Sequence, residues 1–144
     1  MSAETTTGLL ALKVLTPEGS VLEGDVYEVT LPGSEGELGV LPAHAALLTK
    51  IIPGALAYRA PEGQGTIALG KGVAEVRDDR VIVLVERAID AEAIDTAAVE
   101  ARRKQLLADR ETGLAEEQVA AIDEELALLE IQLQIARPGA TAAH

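Results

Sequence analysis

The first part of the chain alternates short apolar runs with glycines, prolines and acidic residues, a pattern typical of a many-stranded antiparallel domain. Eleven of the thirteen glycines and five of the six prolines precede Ala88, which predicts frequent turns in this part. Seven or more short strands in so short a segment predict an all-β sandwich or flattened barrel. The predicted strands span residues 9–15, 25–31, 46–50, 54–60, 65–69, 73–77 and 80–86.

In two of these strands the sequence pattern predicts which side chains face the core. Tyr27, Val29 and Leu31 alternate with more polar positions, which predicts one apolar face in the second strand. The uninterrupted aliphatic run 81–85 predicts a strand buried on both faces. The Asp78-Asp79 pair before that run predicts a tight hairpin turn.

After Ile89 the pattern becomes helical, with Ala, Leu, Glu, Gln and Arg in the majority. Asp95 is expected to cap a first helix that ends near Arg110, and Thr112-Gly113 then turns the chain. A second helix over 115–136 carries an apolar stripe at spacings of three and four residues. The stripe consists of Val119, Ile122, Leu126, Leu129 and Leu133.

The two helices are therefore expected to form an antiparallel hairpin. Alanines of the first helix should let the helices approach closely, together with Leu106 and Leu107. The predicted units are a β-sandwich over 1–88, the hairpin over 89–137 and a disordered tail over 138–144, after Pro138-Gly139 has ended the helix. An alanine-rich hairpin gains little burial energy, so we expect that it can detach from the sandwich and dock again. The alanines concerned are Ala97, Ala98, Ala101 and Ala108.

Composition excludes several classes of function. The net charge of −12 leaves no basic surface for nucleic acid or anionic lipid, and the absence of cysteine excludes disulfides and thiolate metal sites. No apolar run reaches the roughly 18 residues of a membrane span, so membrane insertion is not expected. The short acidic N-terminus does not resemble a signal peptide, which favours a cytoplasmic protein.

The densest cluster of unusual residues runs from 32 to 48 and contains the sequence GSEGELGVLPAH. Its glycines and prolines demand particular backbone angles, so it is interpreted either as an ordinary inter-strand loop or as a rigid contact surface. Glu35, Glu37 and His44 form a weak candidate for a metal site or an acid–base pair, and we expect neither a metal nor catalysis here. Gly70-Lys71-Gly72 lacks the frame of a phosphate-binding loop and is expected to be a turn.

This motif, followed by Ala45-Ala46-Leu47-Leu48-Thr49 and Pro53-Gly54, resembles the epsilon subunit of F-type ATP synthase, whose mitochondrial counterpart is called delta. The resemblance extends from about Leu9 to Ala136 and includes Ile94-Asp95 before the two helices. It implies a β-sandwich followed by a helical hairpin, in agreement with the pattern analysis.

The resemblance implies a non-catalytic rotor subunit of the central stalk, in a proton-translocating enzyme at the cytoplasmic face of the bacterial inner membrane. The implied partners are the gamma subunit and the ring of c subunits, whereas contact of the hairpin with the alpha and beta subunits stays open. Rotation of the c-ring would be coupled through gamma to ATP synthesis from ADP and phosphate. The residues that match the family's contact region are Ser34, Glu35, Gly36, Glu37 and His44.

Two departures from the family limit what is carried over. Some relatives bind ATP through a motif I/L-D-x-x-R-A, but here Ile94 and Asp95 are followed by Ala98 at the arginine position, so no ATP is expected to bind. In relatives the hairpin can inhibit ATP hydrolysis by setting basic side chains against an acidic surface of the beta subunit. Residues 115–137 hold six acids and one base, which predicts weak or absent inhibition.

Three further questions stay open at this point. The run Arg102-Arg103-Lys104 belongs either to a solvated helix face or to a docking patch, and Arg102 or Arg103 could also substitute for the missing arginine. The chain could instead be a standalone β-sandwich that binds a small ligand under a helical lid. It could also be a small enzyme that uses Glu37 and His44.

Overall fold

The computed structural model describes residues 8–142, which form ten β-strands, a short 3-10 helix at Ala91–Ala93 and two α-helices. The strands are β1 Leu10–Thr16, β2 Gly19–Val26, β3 Glu28–Gly33, β4 Gly36–Val40, β5 Leu47–Ile51, β6 Gly54–Ala60, β7 Gly63–Leu69, β8 Gly72–Arg77, β9 Arg80–Val85 and β10 Ala88–Asp90. The helices are α1 Thr96–Arg110 and α2 Glu116–Ala142.

The strands form one strongly folded sheet in the order β10-β7-β6-β3-β5-β8-β9-β1-β2, with β4 paired to β3. All pairings are antiparallel except that of β1 with β9. β3 and β5 are joined only through the pair Gly33–Ile51, so the sheet bends there and its two halves enclose one aliphatic core. This architecture confirms the predicted sandwich or flattened barrel followed by a helical hairpin.

The predicted strand 25–31 is in fact two strands, because the chain bends at Tyr27. The Tyr27 backbone N–H donates to the Arg59 carbonyl at 2.7 Å, and the Arg59 guanidinium lies 5.0 Å from the centre of the exposed Tyr27 ring. Because of this bend, Val26 lies in the core and Tyr27 does not. The prediction that Tyr27 faces the core was wrong. Strands β2, β4 and β10 were not predicted, since glycine and charged residues weaken their strand pattern.

Strand β9 is buried on one face only, contrary to the prediction. Val81, Val83 and Val85 lie in the core, whereas Ile82 is half-buried and Leu84 is exposed. An aliphatic residue at every position hides the alternation of faces in the sequence. Only the packing shows that no other element of the described chain covers the outer face. The Asp78-Asp79 hairpin is confirmed, since both residues have positive φ (52° and 59°), as a type I′ turn requires.

The helical hairpin has a small core of its own. Val99 and Leu106, seven residues apart on α1, pack against Leu129 and Leu133 on α2. The Asp95 carboxylate caps α1 by accepting the Ala98 N–H at 3.1 Å, as predicted. The alanines expected between the helices are instead exposed, because the larger Val99 and Leu106 occupy the facing stripe. The exposed alanines are Ala97, Ala98, Ala101 and Ala108.

Both ends of the hairpin unit differ from the predicted bounds. The sheet includes β10 through Asp90, two residues beyond the predicted limit at 88. Helix α2 continues to Ala142 through Pro138-Gly139, where the sequence predicted its end and a disordered tail. The fixed φ of proline is compatible with a helix, although one hydrogen bond is lost. Residues 143 and 144 of the predicted tail lie outside the described residues.

A second face of α2 packs on the sheet at β6 and β7. It carries Leu128, Gln132 and Ala136, all buried, at intervals of four residues. Ala68 of β7 is fully buried although its neighbours Ile67 and Leu69 already point into the core, so the helix covers the outer face of this strand. Among the described residues, no helix has the length and apolar character needed to cross a membrane.

Candidate functional site

The predicted contact motif forms a β-hairpin and a separate loop instead of one inter-strand loop. β3 and β4 pair from Val29–Val40 to Gly33–Gly36, and Ser34 and Glu35 form the two-residue turn between them. The Ser34 N–H donates to the Lys50 carbonyl at 3.0 Å, which ties the turn to β5. Gly36 has a φ of 121°, which explains why a glycine must follow the turn.

His44 lies away from the Ser34-Glu35 turn, in the loop of residues 41–46 that follows β4. The five residues of β4 span about 17 Å, so the whole strand separates the loop from the turn. No cluster of three or more potential metal-ligating side chains occurs within residues 8–136, where side chains are described. The structure therefore does not bring Glu35 and Glu37 beside His44, which removes the geometric basis for a shared metal or acid–base site.

The His44 ring is half-buried and held by its own loop. The His44 backbone N–H donates to the Leu41 carbonyl at 3.1 Å, and the ring Nδ1 lies 2.7 Å from the Ala45 carbonyl. Because a carbonyl oxygen only accepts, Nδ1 must carry the proton in this contact. In the neutral ring, Nε2 is then the nitrogen available as an acceptor for a partner.

The outer face of β5, β8, β9 and β1 carries an exposed apolar patch, beside charged side chains that include Lys13, Lys50 and Glu75. Leu48 is 71% exposed and Leu84 is 48% exposed, and cross-strand pairing sets Leu84 between Val73 and Leu15. A groove of about 700 Å³ crosses this face, with Lys50 and Lys71 among its lining residues. Exposed aliphatic side chains on adjacent strands are typical of a protein–protein interface. The sequence signal was the unbroken aliphatic run of β9, which had been interpreted as a doubly buried strand.

The arginines of α1 are paired with carboxylates of α2, so they form neither a free docking patch nor a merely solvated face. Arg102 donates to both oxygens of Glu125, at 2.8 and 3.1 Å. Arg110 donates to both oxygens of Asp123, at 2.7 and 3.2 Å. Arg103 likewise bonds Glu130 at 2.6 Å. Three of the six carboxylates of α2 are thus paired with arginines of α1 in the closed hairpin.

These pairs shift the ionisation of the groups involved. The hydrogen bond from Arg110 lowers the pKa of Asp123, and that from Arg102 lowers the pKa of Glu125. Lys71 joins the sheet to the hairpin through a 2.8 Å contact with Glu124, and this hydrogen bond raises the pKa of the lysine. As predicted, Lys71 lies in a simple connection between two strands, since β7 ends at Leu69 and β8 begins at Gly72.

The residues of the degenerate nucleotide motif have structural partners. Ile94 packs against the hairpin core, and the Asp95 carboxylate is engaged by the backbone of Ala98. A cavity of about 290 Å³ between the sheet and α2 is lined by both basic and acidic side chains. Its charged lining residues are Lys71, Glu86, Arg87, Glu124 and Glu125.

Comparison with known sequences finds relatives of this chain. Residues 9–91 match the family described as "ATP synthase, Delta/Epsilon chain, beta-sandwich domain". The chain is 39% identical over 114 residues to the ATP synthase epsilon chain of Persephonella marina, covering 78% of this chain and 81% of the relative. It is 36% identical over 129 residues to the ATP synthase epsilon chain of Bordetella avium, covering 89% and 92%.

The fold is also found in solved structures. A chain in the cryo-EM structure of the Euglena gracilis mitochondrial ATP synthase (OSCP/F1/c-ring, rotational state 1) superposes with a TM-score of 0.67 at 22% identity. The superposition covers 100% of this chain and 87% of the other. A chain from the central stalk and c-ring of the Tetrahymena thermophila mitochondrial ATP synthase gives a TM-score of 0.55 at 18% identity, covering 88% and 96%. At these identities the likeness concerns the fold.

Proposed function

The chain belongs to the delta/epsilon family of ATP synthase subunits, and on this premise we propose that it acts as a rotor subunit of the central stalk of a proton-translocating F-type enzyme. It is an accessory subunit without an active site of its own, and it would couple rotation of the c-ring through gamma to ATP synthesis. The fold comparison with assemblies that contain a c-ring supports this role. The complex would lie at the cytoplasmic face of the bacterial inner membrane.

The observation that carries the proposal is the apolar patch on the outer face of β5, β8, β9 and β1. Exposed ion pairs contribute only about 0–1 kcal/mol each, so a stable grip on gamma requires buried apolar area. Leu48, Val73 and Leu84 supply such area on adjacent strands, and Lys50 at the groove would donate to acidic groups of the partner. We assign this face to gamma.

The hairpin turn and the His44 loop are proposed as two separate contact points. Ser34 and Glu35 form an exposed turn that is followed by Gly36 and Glu37. The carboxylates of Glu35 and Glu37 can therefore pair with basic groups on the polar loops of the c-ring and on the foot of gamma. His44 lies beyond the other end of β4 and would accept a hydrogen bond at Nε2 from a donor on gamma. The separation of the two points allows one subunit to contact two partners.

Leu84→Asp tests the gamma interface. A carboxylate in the middle of the apolar face should abolish co-purification with the gamma subunit, because the charge would have to be buried on binding. Since Leu84 is already solvent-exposed, the fold should survive, which circular dichroism would verify. Leu107→Asp on α1, at a leucine of similar exposure, is the matched control and should leave gamma binding intact. Undiminished binding of the Leu84→Asp chain would contradict the proposal.

We further propose that the hairpin inhibits ATP hydrolysis weakly or not at all. Opening the hairpin would separate Asp123, Glu125 and Glu130 from their arginines on α1 and present these carboxylates to the acidic surface that relatives engage. Deleting residues 95–144 should therefore leave the ATPase activity of the complex within about twofold of the intact complex. A many-fold rise in activity would refute this.

We also propose that the chain needs no nucleotide. The arginine position of the family motif is Ala98, whose own N–H engages Asp95, and Arg102 is bound to Glu125. Isothermal titration of the full chain with ATP should give no submillimolar binding. Submillimolar binding that is lost in Arg102→Ala would show that this arginine replaces the missing one.

The alternative of a ligand-binding sandwich under a helical lid is not supported. The space between the two halves of the sheet is filled by aliphatic side chains, and twelve leucine, isoleucine and valine residues there are less than 2% exposed. The cavities of about 700, 290 and 300 Å³ are lined by surface strands, turns and α2. The family assignment agrees with the subunit role.

A further inference from the structure

The loop of residues 41–46 holds a backbone conformation that its sequence disfavours. Ala43 has a φ of 68°, in the left-handed region where a Cβ crowds the following carbonyl group. A residue other than glycine stays in this region only when its surroundings hold it there. The loop must therefore be held by a contact from elsewhere in the molecule.

That contact comes from Asp79, thirty-six residues further along the chain. Its Oδ1 accepts the Ala43 backbone N–H at 2.6 Å, a charge-assisted hydrogen bond. Asp79 lies in the type I′ turn between β8 and β9, and its carbonyl accepts the Ala11 N–H at 2.9 Å. The carboxylate is thus carried on a turn that is itself anchored to β1, and it reaches the loop from a rigid support.

The hydrogen bond acts on the residue immediately before His44. With Ala43 held at positive φ, the His44 N–H closes a turn to the Leu41 carbonyl, and the ring lies against the Ala45 carbonyl through Nδ1. Releasing Ala43 would free the backbone that fixes both contacts. The ring would then sample other orientations and exchange its proton between the two nitrogens.

We propose that Asp79 is a positioning residue that fixes the His44 loop, so that Nε2 of His44 is presented to a hydrogen-bond donor on the gamma subunit. The gamma contact rests on the proposed function, whereas the positioning of the loop does not. The partner group that fits a neutral Nε2 is a donor, such as a hydroxyl, an amide or a basic side chain. Asp79 itself need not touch the partner.

Asp79→Gly removes the carboxylate and keeps the turn that carries it. Glycine readily adopts the positive φ of position 79, so the hairpin is kept while the acceptor for Ala43 is lost. Asp79→Asn retains an amide oxygen as an acceptor and should restore the loop. Asp78→Gly removes the neighbouring carboxylate at the same kind of backbone position and is the matched control.

The first measurement is NMR of the isolated chain: amide exchange at Ala43 and His44, and the imidazole nitrogen shifts of His44, which report the tautomer. In Asp79→Gly we expect at least about tenfold faster exchange at both amides and a mixture of tautomers. Asp79→Asn and Asp78→Gly should resemble the parent chain. Unchanged exchange and tautomer in Asp79→Gly would overturn the positioning role.

The second measurement is the affinity for gamma. Asp79→Gly should weaken binding about threefold to tenfold in the otherwise unchanged chain. If Asp79 acts through His44, the same substitution should have a smaller effect in a chain that already carries His44→Ala. We expect the two effects to be non-additive. A loop that loosens without any loss of affinity would refute the His44–gamma contact, whereas the rotor role itself is tested separately by Leu84→Asp.

Discussion

Replacing Gln132 by leucine should hold the helical hairpin more firmly against the sheet. Gln132 is 6% exposed and lies between Leu128 and Ala136 on the face of α2 that packs on β6 and β7. Within the part of the chain whose side chains are described, its amide makes no side-chain hydrogen bond. A buried amide in this interface opposes docking.

The size of the effect follows from the cost of burying that amide. An unsatisfied buried polar group costs about 1–3 kcal/mol, and a leucine of similar length removes this cost and adds apolar contact. A gain of about 1–3 kcal/mol would lower the population of the undocked hairpin by about 5-fold to 150-fold. The ion pair between Lys71 and Glu124 is exposed and is expected to matter less.

Native-state hydrogen exchange of the full chain measures this directly. In Gln132→Leu, amides of α2 along the docked face should exchange about 5-fold to 150-fold more slowly, while those of β9 should not change. Gln134→Leu makes the same substitution at an exposed position of the helix and controls for helix propensity. Equal or faster exchange of α2 in Gln132→Leu would refute the reasoning that the amide weakens docking.

Three further outcomes follow from the packing and the ion pairs. Gly72→Ala should destabilise the chain by about 3 kcal/mol in urea, because a Cβ there would lie 2.0 Å from a β9 carbonyl oxygen, whereas Gly39→Ala meets no atom within 4 Å and should cost under about 1 kcal/mol. Equal losses would contradict the steric explanation. Leu106→Ala should cost about 2–5 kcal/mol of hairpin stability and lower helical circular dichroism on heating before the sheet unfolds; a single transition with unchanged midpoint would argue against an independent hairpin core. Since Asp123 and Glu125 have lowered pKa values when folded, they stabilise the hairpin above their unfolded pKa values of about 4, and this contribution should be lost as the pH falls below those values and through the lowered folded pKa values. An acid titration followed by circular dichroism checks this, and Asp123→Asn with Glu125→Gln should remove this contribution to the pH dependence.

The strands predicted correctly are those whose signal is local. Strand 54–60 has its predicted bounds, and the Asp78-Asp79 turn was identified from its two residues alone. Strand β4 was missed because Gly36 and Gly39 remove the apolar alternation, so its place depends on pairing with β3, which no short stretch of sequence encodes.

The candidate contact residues were found as a group but wrongly placed as one surface. Their proximity in sequence suggested a single loop, whereas β4 separates Ser34 and Glu35 from His44. The outer apolar face escaped prediction for a related reason. Leu15 of β1 and Leu84 of β9 are about seventy residues apart in the chain and become neighbours only through the sheet register, which also sets β5 with Leu48 beside β8.

The sequence by itself determined the two-part architecture, the Asp95 helix cap and the charge of each part, since periodicity, capping and charge depend on residues close together in the chain. The tertiary structure alone decided which α1 residues face α2, which carboxylate each arginine binds, and that Asp79 supports the loop of His44. These outcomes require segments tens of residues apart to meet. Their meeting depends on the register and burial of the whole fold. The sequence shows α2 as an acidic helix, whereas in the closed hairpin three of its six carboxylates, those of Asp123, Glu125 and Glu130, are paired with arginines of α1.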